Sequence, residues 1–102
     1  MRANVRPLFY QDVFETVAYL AEKAGRDTAL GWAEAVWQTL LELQKHPQLG
    51  RERKDLPFPA VRSWRARDFS RWIVFYGVRP DELVFYRVKH GAANLVTLDF
   101  NS

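Results

Sequence analysis

No cysteine occurs among the 102 residues. Disulfides, cysteine-ligated zinc and a thiol nucleophile are therefore excluded, and the expected location is a reducing cytoplasm. No apolar run approaches the ~18 residues of a membrane span. The opening M-R-A-N-V-R-P has no apolar h-region, so no signal peptide is expected either. The two histidines and the scattered carboxylates show no metal-ligand spacing. No glycine-rich phosphate loop is present. No metal and no cofactor is expected. Internal repeats, low-complexity tracts and linkers are absent as well, so residues 1–102 read as a single domain.

What is abundant is apolar and aromatic. Apolar residues make up 48% of the chain, which suits a folded globule. The four Trp, four Tyr and seven Phe exceed what so small a core needs, so some should face a groove or a partner. The net charge of +3 is unevenly spread: residues 1–44 carry −2 and residues 45–102 carry +5, with the basic residues concentrated between Lys45 and Arg71. Such a basic half can meet nucleic acid or an acidic protein, or serve only as a solvated surface.

Hydrophobic periodicity divides the chain. Asn4–Phe9 reads as a short strand, confined to an edge by Pro7. Gln11–Lys23 repeats Val13, Val17, Leu20 and Ala24 at helical spacing, with Phe14, Ala18 and Ala21 alongside and Asp12, Glu15 and Glu22 off the stripe. Gly25 is a natural helix stop. Asp27 or Thr28 can cap a second helix that carries Trp32, Val36, Trp37, Leu40, Leu41 and Leu43 and ends by His46, before Pro47. Helices so closely joined should form an antiparallel hairpin, with Trp32 and Trp37 packed in it.

His46–Pro59 reads as a loop, having three prolines and a glycine. Strands follow at Val61–Arg67, Trp72–Val78 and Leu83–Lys89, the last two joined by a turn at Arg79-Pro80-Asp81-Glu82. Asn94–Ser102 is an extra strand or an ordered arm. The predicted class is α+β, in the order β-α-α-β-β-β, with the helical hairpin on one face of a small antiparallel sheet.

The order and spacing of several short motifs carry a resemblance. They are Asp12-Val13 followed by Tyr19-Leu20-Ala21-Glu22, the exit Leu43…His46-Pro47…Leu49-Gly50, Val61-Arg62-Ser63-Trp64, the central Ile73-Val74-Phe75-Tyr76, and Tyr86-Arg87-Val88-Lys89-His90-Gly91-Ala92. Together they resemble the RelE/ParE superfamily of bacterial toxins, most like its ParE-like, plasmid-stabilisation branch, over nearly the whole chain. The resemblance implies the toxin of a type II toxin–antitoxin system, cytoplasmic and hetero-oligomeric with a cognate antitoxin. That antitoxin would have a DNA-binding N-terminus and a flexible C-terminal segment. ParE-like members poison DNA gyrase, whereas RelE-like members cleave mRNA in the ribosome.

Cutting RNA through its 2′-hydroxyl needs an acid and base and cations for the phosphate. His90 could move the proton, and Arg62, Arg65 and Arg87 could supply charge. The RelE branch, however, places an arginine where this chain has Ile73, and another where it has Ala92-Ala93-Asn94. The resemblance therefore implies gyrase inhibition by binding, with no catalysis, and a ribosome-dependent mRNA endonuclease as the alternative. A plain binding module or an inactive relic is a third class. Partner contacts are expected from Arg62, Trp64, Arg65, Arg87 and His90. His90 could equally be a structural strand-end residue. Arg87, set in an apolar strand, needs a carboxylate from a helix or from a partner. Arg62 and Arg65 are an odd number apart and should face opposite sides of the sheet, Arg62 sharing its side with Trp64.

Overall fold

Gly25, with φ at 94°, is the only residue between two long helices, and around this hinge the chain is built. The computed structural model describes residues 1–100. In chain order it has β1 (Arg2–Val5), α1 (Pro7–Ala24), α2 (Arg26–Lys45), β2 (Arg51–Glu52), β3 (Arg62–Ala66), β4 (Phe69–Val78) and β5 (Glu82–His90), closed by a 3-10 turn at Leu95–Thr97.

The expected α+β order is present, with differences of detail. Pro7 does not interrupt a strand; it opens α1, where its missing N–H costs nothing. The sheet is mixed, not purely antiparallel. Its order is β1-β5-β4-β3-β2, and β1 runs parallel to β5. The expected loop contains β2, two residues long, which pairs with the start of β3. The tail is an arm, not a strand, and its last two residues lie outside those described. Phe100 anchors it, 3% exposed.

The helices cover one face of the sheet. Phe9, Val13, Trp32, Val36, Leu40 and Leu43 pack on Val74, Tyr76, Leu83, Phe85 and Val88. On the outer face Ile73 and Phe75 meet Leu56, Val61 and Phe100 in a smaller core. The alternation along β4 feeds both layers, as a pleated strand requires.

The register between β4 and β5 slips between Phe75 and Tyr76: Phe75 lies opposite Arg87 and Tyr76 opposite Phe85. This bulge leaves Tyr86 unpaired and places Tyr86 and Arg87 on the same side, away from the helices. Tyr86 accordingly packs on Phe58 and Phe100.

Tyr76 locks the α2–β2 connection. Its buried hydroxyl accepts from the Gly50 N–H and donates to the Pro47 carbonyl, both at 2.8 Å, and burial pushes its pKa up. A Cβ at Gly50 would lie 2.5 Å from that hydroxyl. Gly50→Ala should therefore destabilise the chain by about 1–3 kcal/mol through overpacking, and Tyr76→Phe by about as much through two orphaned backbone groups. Urea unfolding checks both, and a midpoint unchanged in either variant would contradict this account.

Candidate functional site

The residues singled out in sequence do not converge. Arg62 lies opposite Tyr76 and Trp64 opposite Val74, on the helical side of β3. Arg65 lies opposite Ile73, on the outer side. Arg62 and Arg65 are thus split as their spacing implied. His90 pairs with Trp72, four places along β4 from the partner of Arg62, roughly 13 Å of strand.

Each of these side chains is engaged within the chain. Arg62 donates to the Gly50 carbonyl and Arg65 to the Ser70 carbonyl, both at 2.6 Å. The Trp64 indole donates to Glu42 at 3.1 Å. His90 Nδ1 accepts from the Ala92 N–H at 3.0 Å, and its ring meets Trp72 edge to face, which in turn meets Trp32. The geometry of His90 is that of a strand-end cap with aromatic packing.

Arg87 has found its carboxylate on α1. Its Nε and Nη2 contact the two oxygens of Asp12 at 2.7 and 2.9 Å, and its Nη1 donates to the Asp99 carbonyl at 3.0 Å. Asp12 also accepts from the Val88 N–H at 3.2 Å. β1 pairs β5 only as far as Phe85, so Asp12 takes over as acceptor on the edge of β5 beyond it. The hydrogen bond to Asp12 raises the Arg87 pKa. Asp12 had been placed off the apolar stripe, but it is 3% exposed. The clue in the sequence was an arginine in an apolar strand, which must find an acid.

A second internal pair shapes the outer face. Arg53, 8% exposed, grips Asp55 at 2.8 and 2.7 Å, donates to Ser63 Oγ at 3.2 Å and lies over the Phe75 ring. The Arg53 hydrogen bonds hold the Asp55 carboxyl down to about 2. A carboxylate so lowered adds stability above the usual carboxylate range and loses it as pH falls towards about 2. Arg53→Gln should return Asp55 to the ordinary range in an NMR titration. An unmoved Asp55 would break the assignment.

Two open features stand out among the described residues. One is a groove of about 650 Å³ along β3, lined by arginines 51, 53, 65 and 67 and by Trp64. The other is on the hairpin. Tyr10, Phe14 and Leu41 are 46%, 72% and 52% exposed, and the Tyr10 ring packs at a tilt, 6.0 Å from that of the half-buried Trp37. Phe14 and Leu41 were read as part of the inward stripes. Both are exposed instead, each one helical turn along from a member of the Tyr10–Trp37 pair that joins the two helices. The surplus of aromatic residues was the only sequence signal of this exposed face.

No curated relative matches the chain by sequence. Among solved structures it is similar to a chain of the chromosomal ParDE toxin–antitoxin system from P. aeruginosa. That match has a TM-score of 0.75 at 17% identity and covers 88% of this chain and 95% of the other. A sequence model described as the ParE toxin of the type II toxin–antitoxin system parDE matches residues 4–95. The chain belongs to the ParE toxin family of type II toxin–antitoxin systems.

Proposed function

We propose that this chain is a toxin that acts by binding a type II topoisomerase such as DNA gyrase, without covalent chemistry of its own. The observation that supports a binding toxin over an mRNA endonuclease is the dispersal of His90, Arg62, Arg65 and Arg87. They lie on different faces, and each is held by an internal partner. A nuclease needs its proton donor and its cations within reach of one phosphate.

A cognate antitoxin neutralises it in this reading, as the ParDE setting of the structural neighbour suggests. An amphipathic antitoxin helix lies along the hairpin of α1 and α2, covering Tyr10, Phe14, Trp37 and Leu41, while an extended piece runs beside the sheet. Exposed apolar stripes of this kind mark interaction surfaces.

The purified toxin should inhibit gyrase supercoiling and trap a cleavage complex, and its expression without antitoxin should arrest growth. Untouched supercoiling, together with ribosome-dependent cutting of mRNA in primer extension, would replace this reading with the nuclease one. Unimpaired growth at full expression would mark a relic.

A further inference from the structure

The groove along β3 is absorbed neither by the antitoxin stripe nor by the internal ion pairs. β2 pairs only with Arg62 and Ser63, so β3 is an open edge from Trp64 onward. The groove takes in this edge, with Ser63, Trp64 and Arg65 lining it, and extends to Ile73, Gly91 and Leu95. Arg51, Arg65 and Arg67 are exposed there; Arg65 gives one N–H to the Ser70 carbonyl, a neutral acceptor that leaves its charge and its other donors available. Arg53 is neutralised by Asp55, and the one carboxylate in the lining, Glu42, is bonded to the Trp64 indole. Three exposed arginines thus line the same groove as a half-buried tryptophan, whose ring is held by a hydrogen bond.

We propose that this groove binds single-stranded nucleic acid, without cutting it. Arginines 51, 65 and 67 would take the phosphodiester backbone, and Trp64 would stack on an unpaired base. A rail of cations beside a fixed aromatic face is the general solution for gripping a single strand, because every base has a stackable face and every linkage a charge. A duplex hides its base faces and could use only the arginines. Cutting is not part of the proposal, because His90 packs against Trp72 on the helical side of the sheet, where it caps a turn. The proposal does not depend on the identity of the toxin's enzyme target.

The test is fluorescence anisotropy with a labelled single-stranded oligonucleotide of about twelve nucleotides, titrated across salt. Three phosphate contacts give a slope of log affinity against log salt of about −2. The paired substitution Arg65→Glu with Arg67→Glu should weaken binding at least roughly tenfold, and Trp64→Leu by about as much. Arg26→Glu with Arg79→Glu makes the same charge change at distant exposed sites and should leave the affinity within about twofold. Circular dichroism confirms that each variant is folded, and Arg51→Glu replaces any that is not. A glutamate-rich peptide should not compete, a duplex of the same length should bind more weakly, and the oligonucleotide should be recovered intact.

Equal losses in the two paired variants would overturn the proposal by reducing the effect to net charge. Equal binding of duplex would remove the stacking role and overturn it as well. Efficient competition by the acidic peptide would reassign the groove to a protein partner, and a cleaved oligonucleotide would refute binding without chemistry.

Discussion

Asp12→Ala is expected to destabilise the folded chain by about 3–5 kcal/mol, the usual consequence of stripping one partner from a buried ion pair. The loss should be severe, since small domains have only about 5–15 kcal/mol in hand. Removing Asp12 strands the Arg87 guanidinium, whose side chain is 12% exposed, and deletes the acceptor of the Val88 N–H. Lys89, 3.7 Å from the same carboxylate, loses that partner as well, though its more exposed ammonium can turn to water. Asp12→Asn should lose less, because the amide oxygen can still accept from Val88. The double change Asp12→Leu with Arg87→Met should recover part of the loss, since neither charge is then left alone. Urea denaturation of the three variants measures this. A double variant no more stable than Asp12→Ala would show that the pair is not the source of the effect. Arg87→Glu, which looks from sequence like a probe of partner binding, would place two carboxylates together and report on folding instead.

The second large effect concerns the antitoxin. Phe14→Asp and Leu41→Asp should each weaken toxin–antitoxin affinity by at least about 2 kcal/mol, roughly thirtyfold, as for anchors at the centre of an interface. Both side chains are more than half exposed in the free chain, so the fold should be unaffected. Tyr19→Asp is the control. Tyr19 is 57% exposed on the same helix, but lies five residues from Phe14 and so points elsewhere. Calorimetry with the cognate antitoxin should show a near-normal affinity for it. If all three variants bind equally well, the exposed face of the hairpin is not the docking site.

The parts of this fold that were legible in sequence are those encoded by local period. Both helices, the hinge at Gly25 and the three long strands follow from spacings of 3.6 and 2. The split of Arg62 from Arg65 follows from parity alone. What escaped was non-local or too short to have a period. A short first edge strand was legible, but not its parallel pairing with β5, some eighty residues later. β2 is two residues long. Pro7 suits a strand edge and a helix start equally, and only the tertiary structure chooses.

The candidate site suffered most from the bulge. One extra residue at Tyr86 changes the face of all that follows, so parity could not say where Arg87 points. The inward and outward stripes of α1 overlap on apolar residues, and sequence merged them into one broad face.

The parallel pairing of the first strand with the last has a consequence for how the chain becomes a toxin during synthesis. The helical hairpin leaves the ribosome early and can form from local contacts, since a single glycine joins its two arms. Its inner face, with Phe9, Trp32, Val36 and Leu43, stays uncovered until β4 and β5 arrive. β1 cannot join a sheet before residue 82 has been made, and the ion pair that ties α1 to β5 spans 75 positions of chain. Every contact that seals the molecule is therefore made at the end of translation. Until then the nascent chain is a sticky, incomplete hairpin, exposed to aggregation or proteolysis. A partner that docks on the exposed side of the hairpin would meet it folded well before the rest of the domain, and could hold it from the moment it emerges.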